Sequence, residues 1–145
     1  MPHLLFVFGT LKQGFRNAHV NRGRRLGGNF ATVAAYPLLI MGPRCLPWLL
    51  DRPGEGLPVV GQVFEVDDQA LAAMDVLERV DDPLWYRRQP IRVRPHPPGD
   101  GAGAEAVDAF VYFGSEAGFE GQAVHAGPLA EYTLAHAAQF VIAMP

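Results

Sequence analysis

The chain has 145 residues, a formal net charge of -3, and 49% hydrophobic residues. This length is typical of one globular domain with its own core, so we expect residues 1–145 to form a single domain. No apolar run reaches the roughly 20 residues that a membrane helix requires. The N-terminus lacks the basic segment and long apolar core of a signal peptide. We therefore expect a cytoplasmic protein with no membrane partner.

The distribution of charged and metal-binding residue types argues against several classes of partner. Nucleic-acid-binding proteins usually carry a basic face that neutralises several phosphates, which a mildly acidic chain does not favour. Arg88, Arg92 and Arg94 share one parity, as is typical of a solvated strand face. The five histidines show no metal-ligand spacing, and the one cysteine, Cys45, has no second cysteine to pair with. We expect no nucleic-acid partner, no metal and no disulfide.

The first half of the chain predicts strands separated by turns. An almost wholly apolar segment opens the chain, as in a strand buried on both faces, and Pro37 and Gly42 interrupt the apolar segments that follow. The predicted elements are, in order, a strand at 3–8, a short helix at 17–25, strands or extended segments at 30–41 and 46–50, a turn-rich loop at 51–58, and a strand at 59–66.

A helix is predicted over residues 69–78, with Asp67 as its N-cap. At 100° per residue its apolar side chains form one stripe. The stripe consists of Ala70, Leu71, Ala73, Met74 and Leu77. Glu78 follows Leu71 by seven residues and Met74 by four, so its carboxyl projects along this stripe at the edge of the core. Partial burial raises a carboxyl pKa above its reference of about 4.3, which makes Glu78 a candidate general base.

The second half adds strands and one further helix. Residues 84–94 predict a strand in which Pro90 indicates an edge or a bulge. Residues 96–106 predict a mobile loop, 107–113 a strand, and 128–142 a helix with Pro128 at its first position. The mixture of strands with a few separate helices indicates an α+β fold.

The turn after the first strand is the second candidate site. There, Gly9 to Lys12 can present backbone N–H groups to an anion or a carbonyl oxygen, and glycine permits close approach. Such a turn, taken alone, is more often an ordinary strand end, and most glutamates at helix ends are solvated. The turn and Glu78 together indicate an enzyme with an anion-binding turn and one proton-transferring carboxylate.

Five ordered segments resemble the gamma-glutamylcyclotransferase-like family. They are Phe6–Lys12, Tyr36–Leu38, Pro47–Leu50, Gly61–Phe64, and Asp75–Glu78 followed by Tyr86–Arg88. The resemblance covers most of residues 4–113 and is strongest to the members that act on gamma-glutamylamines. It rests on the order of the whole set.

The resemblance implies a small mixed, partly open β-barrel with flanking helices, no cofactor, and a pocket at one end. It also implies cleavage of gamma-glutamyl amides by intramolecular attack, which releases 5-oxoproline and a free amine. By position, Phe8, Gly9, Thr10 and Leu11 would bind the gamma-glutamyl group, and Glu78 would be the general acid/base. The family turn usually opens with tyrosine, so the hydroxyl that tyrosine would supply is absent at Phe8.

Three aromatic residues, Trp48, Tyr86 and Tyr112, are predicted to wall the pocket, although strand aromatics more often belong to the core. The oligomeric state and the leaving amine are left open. Two alternatives also remain: the same chemistry on another gamma-glutamyl donor, such as a gamma-glutamyl amino acid or a protected biosynthetic intermediate, or a non-catalytic module that binds a small acid or amide. The expected partner is a small-molecule gamma-glutamyl substrate such as ε-(γ-glutamyl)lysine.

Overall fold

Strands are the commonest regular element of the described chain, which comprises residues 2–15, 21–96 and 106–138 of a computed structural model. In order the elements are β1 (His3–Val7), β2 (Arg24–Arg25), β3 (Asn29–Thr32), β4 (Leu38–Met41), β5 (Leu46–Leu49), β6 (Val60–Val66), α1 (Asp68–Leu77), β7 (Tyr86–His96), β8 (Val107–Gly114), α2 (Glu116–Phe119), β9 (Val124–Ala126) and α3 (Leu134–Ala137). The predicted α+β class is confirmed. No helix within these ranges is long and apolar enough to cross a bilayer.

The larger sheet curls around β1. Its strand order is β1-β8-β7-β3-β6-β2, with β1 also paired to β6, so the pairings pass around five strands. β1 is antiparallel to β6 along its whole length and parallel to β8 at one aligned pair, Leu5 and Phe110. Because the pairing between β1 and β8 is so short, the sheet forms a partly open barrel and not a closed one. A smaller sheet has the order β5-β4-β9.

Both faces of β1 are buried, as its apolar sequence predicts. Phe6 packs in one core cluster, whereas Leu5 and Val7 belong to a second cluster on the opposite face. This alternation is the period-2 arrangement of a strand with packing on both sides. β1 is thereby held in the centre of the fold, and the turn that follows it emerges at the end of the barrel.

α1 lies against the second of these clusters through Leu71 and Met74. Asp67 caps the helix as predicted, since its side chain accepts a hydrogen bond from the Ala70 N–H at 2.7 Å. The buried stripe is narrower than predicted, because Ala73 is exposed and faces away from the sheet. The helix ends at Leu77, so Glu78 is its C-cap.

The predicted helix at 17–25 is wrong where the structure describes it, and the predicted helix at 128–142 is helical only over Leu134–Ala137. Arg24 and Arg25 form β2, because the edge of β6 pairs with them; positions 17–20 lie outside the described residues. The stretch 128–133 is not helical, because its backbone bonds to the sheets, with Leu129 N–H donating to Leu38 and Ala130 accepting from Val60. Only α3 is helical, and residues 139–142 are not described. The predicted loop at 97–105 also lies outside the described residues.

Candidate active site

A pocket of about 250 Å³ opens where the end of β1 faces the C-terminal end of α1. Its wall comes from four regions of the chain: the end of β1 with its turn, the β4–β5 connection, the end of α1, and the start of β7 with β8. The lining residues are Phe6, Val7, Phe8, Gly9, Thr10, Leu11, Arg44, Leu46, Pro47, Leu77, Glu78, Arg79, Trp85, Tyr86 and Tyr112. The fold therefore brings Glu78 and the turn after β1 to one cavity.

The turn after β1 offers backbone donors to this cavity. The Lys12 N–H donates to the Gly9 carbonyl at 3.1 Å, which closes the turn. Among the described residues, the N–H groups of Gly9 and Leu11 have no hydrogen-bond acceptor. Backbone N–H groups in a folded protein are nearly always paired, so two unpaired ones at a pocket are suited to bind an anionic or carbonyl oxygen of a ligand.

The same turn is fixed on its far side by a buried lysine. Lys12 is 3% exposed, and its ammonium donates to the Tyr132 carbonyl and lies 3.8 Å from Glu131 Oε2. Burial lowers the pKa of Lys12 from 10.5, with the Glu131 carboxylate acting in the opposite direction. The next residue, Gln13, donates its N–H to Gln62 Oε1 at 2.8 Å. These bonds hold the turn to β6 and to the segment before α3.

Glu78 is far from this turn in the sequence but lines the same pocket. Its N–H donates to Met74 O at 2.9 Å, which completes the helix, and its side chain is partly exposed at the cavity while its carboxyl end is buried. Within the described ranges its carboxyl has neither a hydrogen bond nor an ion pair. Burial raises the pKa of Glu78 from 4.5 to about 8. A carboxyl with this pKa can give up or accept a proton near neutral pH.

Two tyrosines complete the wall. The Tyr86 hydroxyl donates to the Pro47 carbonyl at 2.6 Å, and the Tyr112 hydroxyl donates to Asp75 Oδ1 at 2.7 Å. Burial raises the pKa of both tyrosines above 10, and the nearby Glu78 carboxylate adds to the effect. Both hydroxyls therefore stay neutral with their protons engaged, so the rings and the oxygen lone pairs are what a ligand would meet.

Trp48 is the one predicted site residue that does not line the pocket. Its ring packs on Tyr86 with 4.5 Å between centroids, and its indole N–H donates to the Ser115 carbonyl at 3.0 Å. A Cβ on Gly114 would lie only 2.3 Å from the indole, so glycine is required there. Trp48 supports Tyr86 from behind and lines a neighbouring groove instead of the pocket.

Three polar or aromatic residues of the wall were not predicted from the sequence: Arg44, Arg79 and Trp85. Arg79 directly follows Glu78, and Trp85 directly precedes Tyr86. Because Glu78 and Tyr86 were both predicted site residues, these neighbours could have been predicted from their positions. Arg44 lies in the β4–β5 connection, and nothing in its neighbourhood distinguishes it in the sequence. Across the described residues, no group of three or more His, Cys, Asp or Glu side chains is placed to hold a metal ion.

Comparison with known proteins agrees with this arrangement. The family model for gamma-glutamyl cyclotransferase, AIG2-like, matches residues 5–133. Gamma-glutamylaminecyclotransferase of Mus musculus is 40% identical over 118 residues, 77% of each chain. The protein of the same name from Homo sapiens is 38% identical over 121 residues, 75% of this chain and 76% of that one.

Solved structures give the same result. The crystal structure of an AIG2-like protein from Mus musculus matches with a TM-score of 0.70 and 32% sequence identity, over 91% of this chain and 88% of that chain. The family-model match spans most of the sequence, including the turn after β1 and Glu78. The chain therefore belongs to the AIG2-like gamma-glutamyl cyclotransferase family of enzymes.

Proposed function

We propose that this protein is a gamma-glutamylamine cyclotransferase. It would cleave a gamma-glutamyl amine such as ε-(γ-glutamyl)lysine into 5-oxoproline and the free amine, through attack of the substrate's own α-amine on its γ-carbonyl carbon. Glu78 carries this proposal, because it is a buried carboxyl with a pKa of about 8 in the same pocket as the unpaired N–H groups of Gly9 and Leu11. The names of the relatives reported above support the substrate class.

The turn after β1 would hold the gamma-glutamyl group. The N–H groups of Gly9 and Leu11 are suited to the α-carboxylate, which fixes the substrate with its amine close to the γ-carbonyl. The nucleophile and the reacting carbonyl belong to one molecule, so holding that molecule folded supplies the proximity that the reaction needs. These contacts use the backbone and do not require a hydroxyl at Phe8.

Glu78 would then move the protons. The ionised carboxylate takes a proton from the α-ammonium, the freed amine attacks the γ-carbonyl carbon, and a C–N bond forms to close the five-membered ring. Protonated Glu78 gives its proton to the nitrogen of the leaving amine as the original amide C–N bond breaks. Over one cycle the α-nitrogen loses two protons and the leaving nitrogen gains two, so no water is consumed and the enzyme returns to its initial state.

The raised pKa of Glu78 fits this alternation. In the empty pocket the carboxyl is largely protonated at neutral pH, because burial raises its pKa and no positive partner among the described residues offsets this. A bound substrate brings an α-ammonium into the pocket, and this charge favours the ionised form. Substrate binding would therefore ionise the Glu78 carboxyl only when an α-ammonium is present to give it a proton.

The test is release of 5-oxoproline from ε-(γ-glutamyl)lysine, γ-glutamyl-alanine and glutathione by the parent protein, Glu78→Gln and Glu55→Gln. Glu55 is an exposed residue outside the pocket and serves as the matched control. We expect the parent and Glu55→Gln to act best on ε-(γ-glutamyl)lysine. Loss of the acid/base should lower kcat of Glu78→Gln by about 10²- to 10⁴-fold.

Other outcomes would contradict the proposal in different ways. Equal release by the parent and Glu78→Gln would show that Glu78 is not the base. A parent preference for γ-glutamyl-alanine would assign the enzyme to another gamma-glutamyl donor. Binding of a donor without release, and retained in Glu78→Gln, would indicate a non-catalytic binding module.

A further inference from the structure

Trp85 and two nearby arginines form one part of the pocket that the proposed reaction does not use. The Arg79 guanidinium lies 4.6 Å from the centre of the Trp85 ring, and the Arg44 guanidinium lies 6.0 Å from it. All three residues line the pocket that contains Glu78. Guanidinium groups stack on aromatic faces while their N–H edges remain available to a planar anion, so the arrangement preorganises Arg79 for binding.

Arg79 also has a strained backbone. Its φ is +55°, and it directly follows the C-cap of α1, where glycine is the usual residue. A side chain in this conformation costs roughly 1 kcal/mol, and such strain is most often retained at functional sites. Hydrogen bonds from Arg79 N–H to Val76 O at 3.2 Å and from Asp82 N–H to Arg79 O at 2.9 Å fix the conformation. In this conformation Arg79 lines the same pocket as Glu78.

The pocket offers a second anion the Arg79 guanidinium. Its described lining contains two arginines, Arg44 and Arg79, and one acidic residue, Glu78. Among the described residues the Arg79 guanidinium has no carboxylate partner. The gamma-glutamyl group has a single carboxylate, which we have placed at the Gly9 and Leu11 amides. An anion at Arg79 would therefore have to come from the leaving amine.

A path for the leaving amine adjoins this end of the pocket. Arg44, Leu46 and Trp85 line both the pocket and a neighbouring groove. The groove continues over Pro43 and Leu84, and Leu84 is 56% exposed. An alkyl chain that leaves the γ-carbonyl toward this groove would pass Trp85 and the Arg79 guanidinium that lies over its ring.

We propose, on the basis of the function proposed above, that Arg79, stacked on Trp85 and next to Arg44, binds a carboxylate of the leaving amine. The preferred substrates are then gamma-glutamyl derivatives of amines that carry a carboxylate, as amino acids do. Arg79 is a specificity-determining residue in this assignment. Its contact exists both in the bound substrate and in the transition state, so it acts on KM more than on kcat.

The test uses two donors that differ in one charge. They are the gamma-glutamyl amides of 6-aminohexanoate and of 6-aminohexanamide, which match in length and present a carboxylate or a neutral amide at the same place. Steady-state release of 5-oxoproline is measured with the parent protein, Arg79→Gln, Arg79→Lys and Arg92→Gln. Arg92 is an exposed arginine outside the pocket and controls for a change in net charge.

We expect the parent to favour the carboxylate donor by roughly ten-fold in kcat/KM, the size of one charge-assisted hydrogen bond. Arg79→Gln should lose most of this preference through a higher KM for the carboxylate donor. Its kcat/KM for the amide donor should stay within about two-fold of the parent value. Arg79→Lys should retain part of the preference, because it keeps the charge and loses the planar fork. Arg92→Gln should match the parent.

Three results would overturn the assignment. If the parent releases 5-oxoproline equally well from both donors, Arg79 does not bind a leaving-group carboxylate. If Arg79→Gln loses the same factor on both donors, Arg79 acts on the shared gamma-glutamyl group or on the structure. If the parent acts on neither donor nor on ε-(γ-glutamyl)lysine, the proposed function itself fails and this subsite fails with it.

Discussion

Tyr112 and Asp75 are joined by a 2.7 Å hydrogen bond that links β8 to α1 one turn before Glu78. Arg88 on β7 binds the other oxygen of Asp75 at 3.2 Å, so the helix that supplies Glu78 is tied to two neighbouring strands. These two bonds give Asp75 a structural role beside the site. The pair gives α1 a fixed rotation about its axis, which decides where the Glu78 carboxyl lies.

The first prediction concerns this pair. Tyr112→Phe and Asp75→Asn should each lower the free energy of unfolding, and the double variant should lose less than the sum. A hydrogen bond to a carboxylate that is partly screened by solvent predicts a coupling of about 1 kcal/mol. Urea unfolding of the four proteins measures it. A coupling near zero would show that the bond does not stabilise α1.

The second prediction follows from the buried carboxyl of Glu78. Its folded-state pKa of about 8 lies above its ordinary 4.5, so the folded protein binds more protons than the unfolded one between these values. Stability from this group is therefore present at low pH and is lost as pH rises through about 8. Glu78→Gln does not titrate there. It should melt higher than the parent at pH 9, by about 5 °C, with a smaller difference at pH 5.

Thermal unfolding of the parent, Glu78→Gln and Glu55→Gln across this pH range checks the sign. Only the difference between each variant and the parent is used, since other groups titrate in all three. A Glu78→Gln advantage that is the same at pH 5 and pH 9 would mean that the carboxyl of the parent is not held protonated by burial.

The third prediction is the pH dependence of the reaction. Since the free enzyme must ionise Glu78 before it can act as a base, kcat/KM should rise with pH up to about 8 and then level off. The profile of kcat should lie at lower pH, because the bound α-ammonium favours the carboxylate. Rates measured with ε-(γ-glutamyl)lysine in constant-ionic-strength buffers test both statements. A kcat/KM that is already flat below pH 6 would contradict the raised pKa.

The fourth prediction tests Trp48 as support for the wall. Trp48→Phe removes the donor to the Ser115 carbonyl and leaves a void over Gly114. We expect a loss of about 2 kcal/mol in the free energy of unfolding. With saturating substrate below the unfolding transition, kcat should change little. Trp85→Phe is the matched control, since Trp85 is half-buried and lines the pocket; it should affect KM more than stability.

Local patterns in the sequence predicted the elements that form this site. The apolar segment that became β1 and the capped, amphipathic α1 depend on their own residues, so propensity and periodicity were sufficient. Glu78 emerged from the helical projection, and the turn from its position after an apolar strand. The family resemblance placed these two segments at one pocket, and the structure brings both to the same cavity.

Long-range pairing decided what the sequence could not show. Arg24 and Arg25 have no strand pattern of their own, and they form β2 only because β6 offers an open edge. Residues 128–133 resemble a helix start, yet their backbone groups are taken by β4 and by Val60. In the sequence Trp48 looks the same as an aromatic residue that lines a pocket. Its indole fits behind Tyr86 because Gly114, 66 residues later in the chain, has no side chain to clash with it.

The hydrogen bond between Lys12 and Tyr132 has a consequence for synthesis of the protein. The turn after β1 leaves the ribosome before the acceptor that fixes its lysine, which is made 120 residues later. β8 also follows β6, the other strand partner of β1. Until β8 has emerged, the nascent chain carries an apolar strand that lacks one of its two partners, a state prone to aggregation. Chaperone dependence should accordingly fall only after residue 132 has emerged.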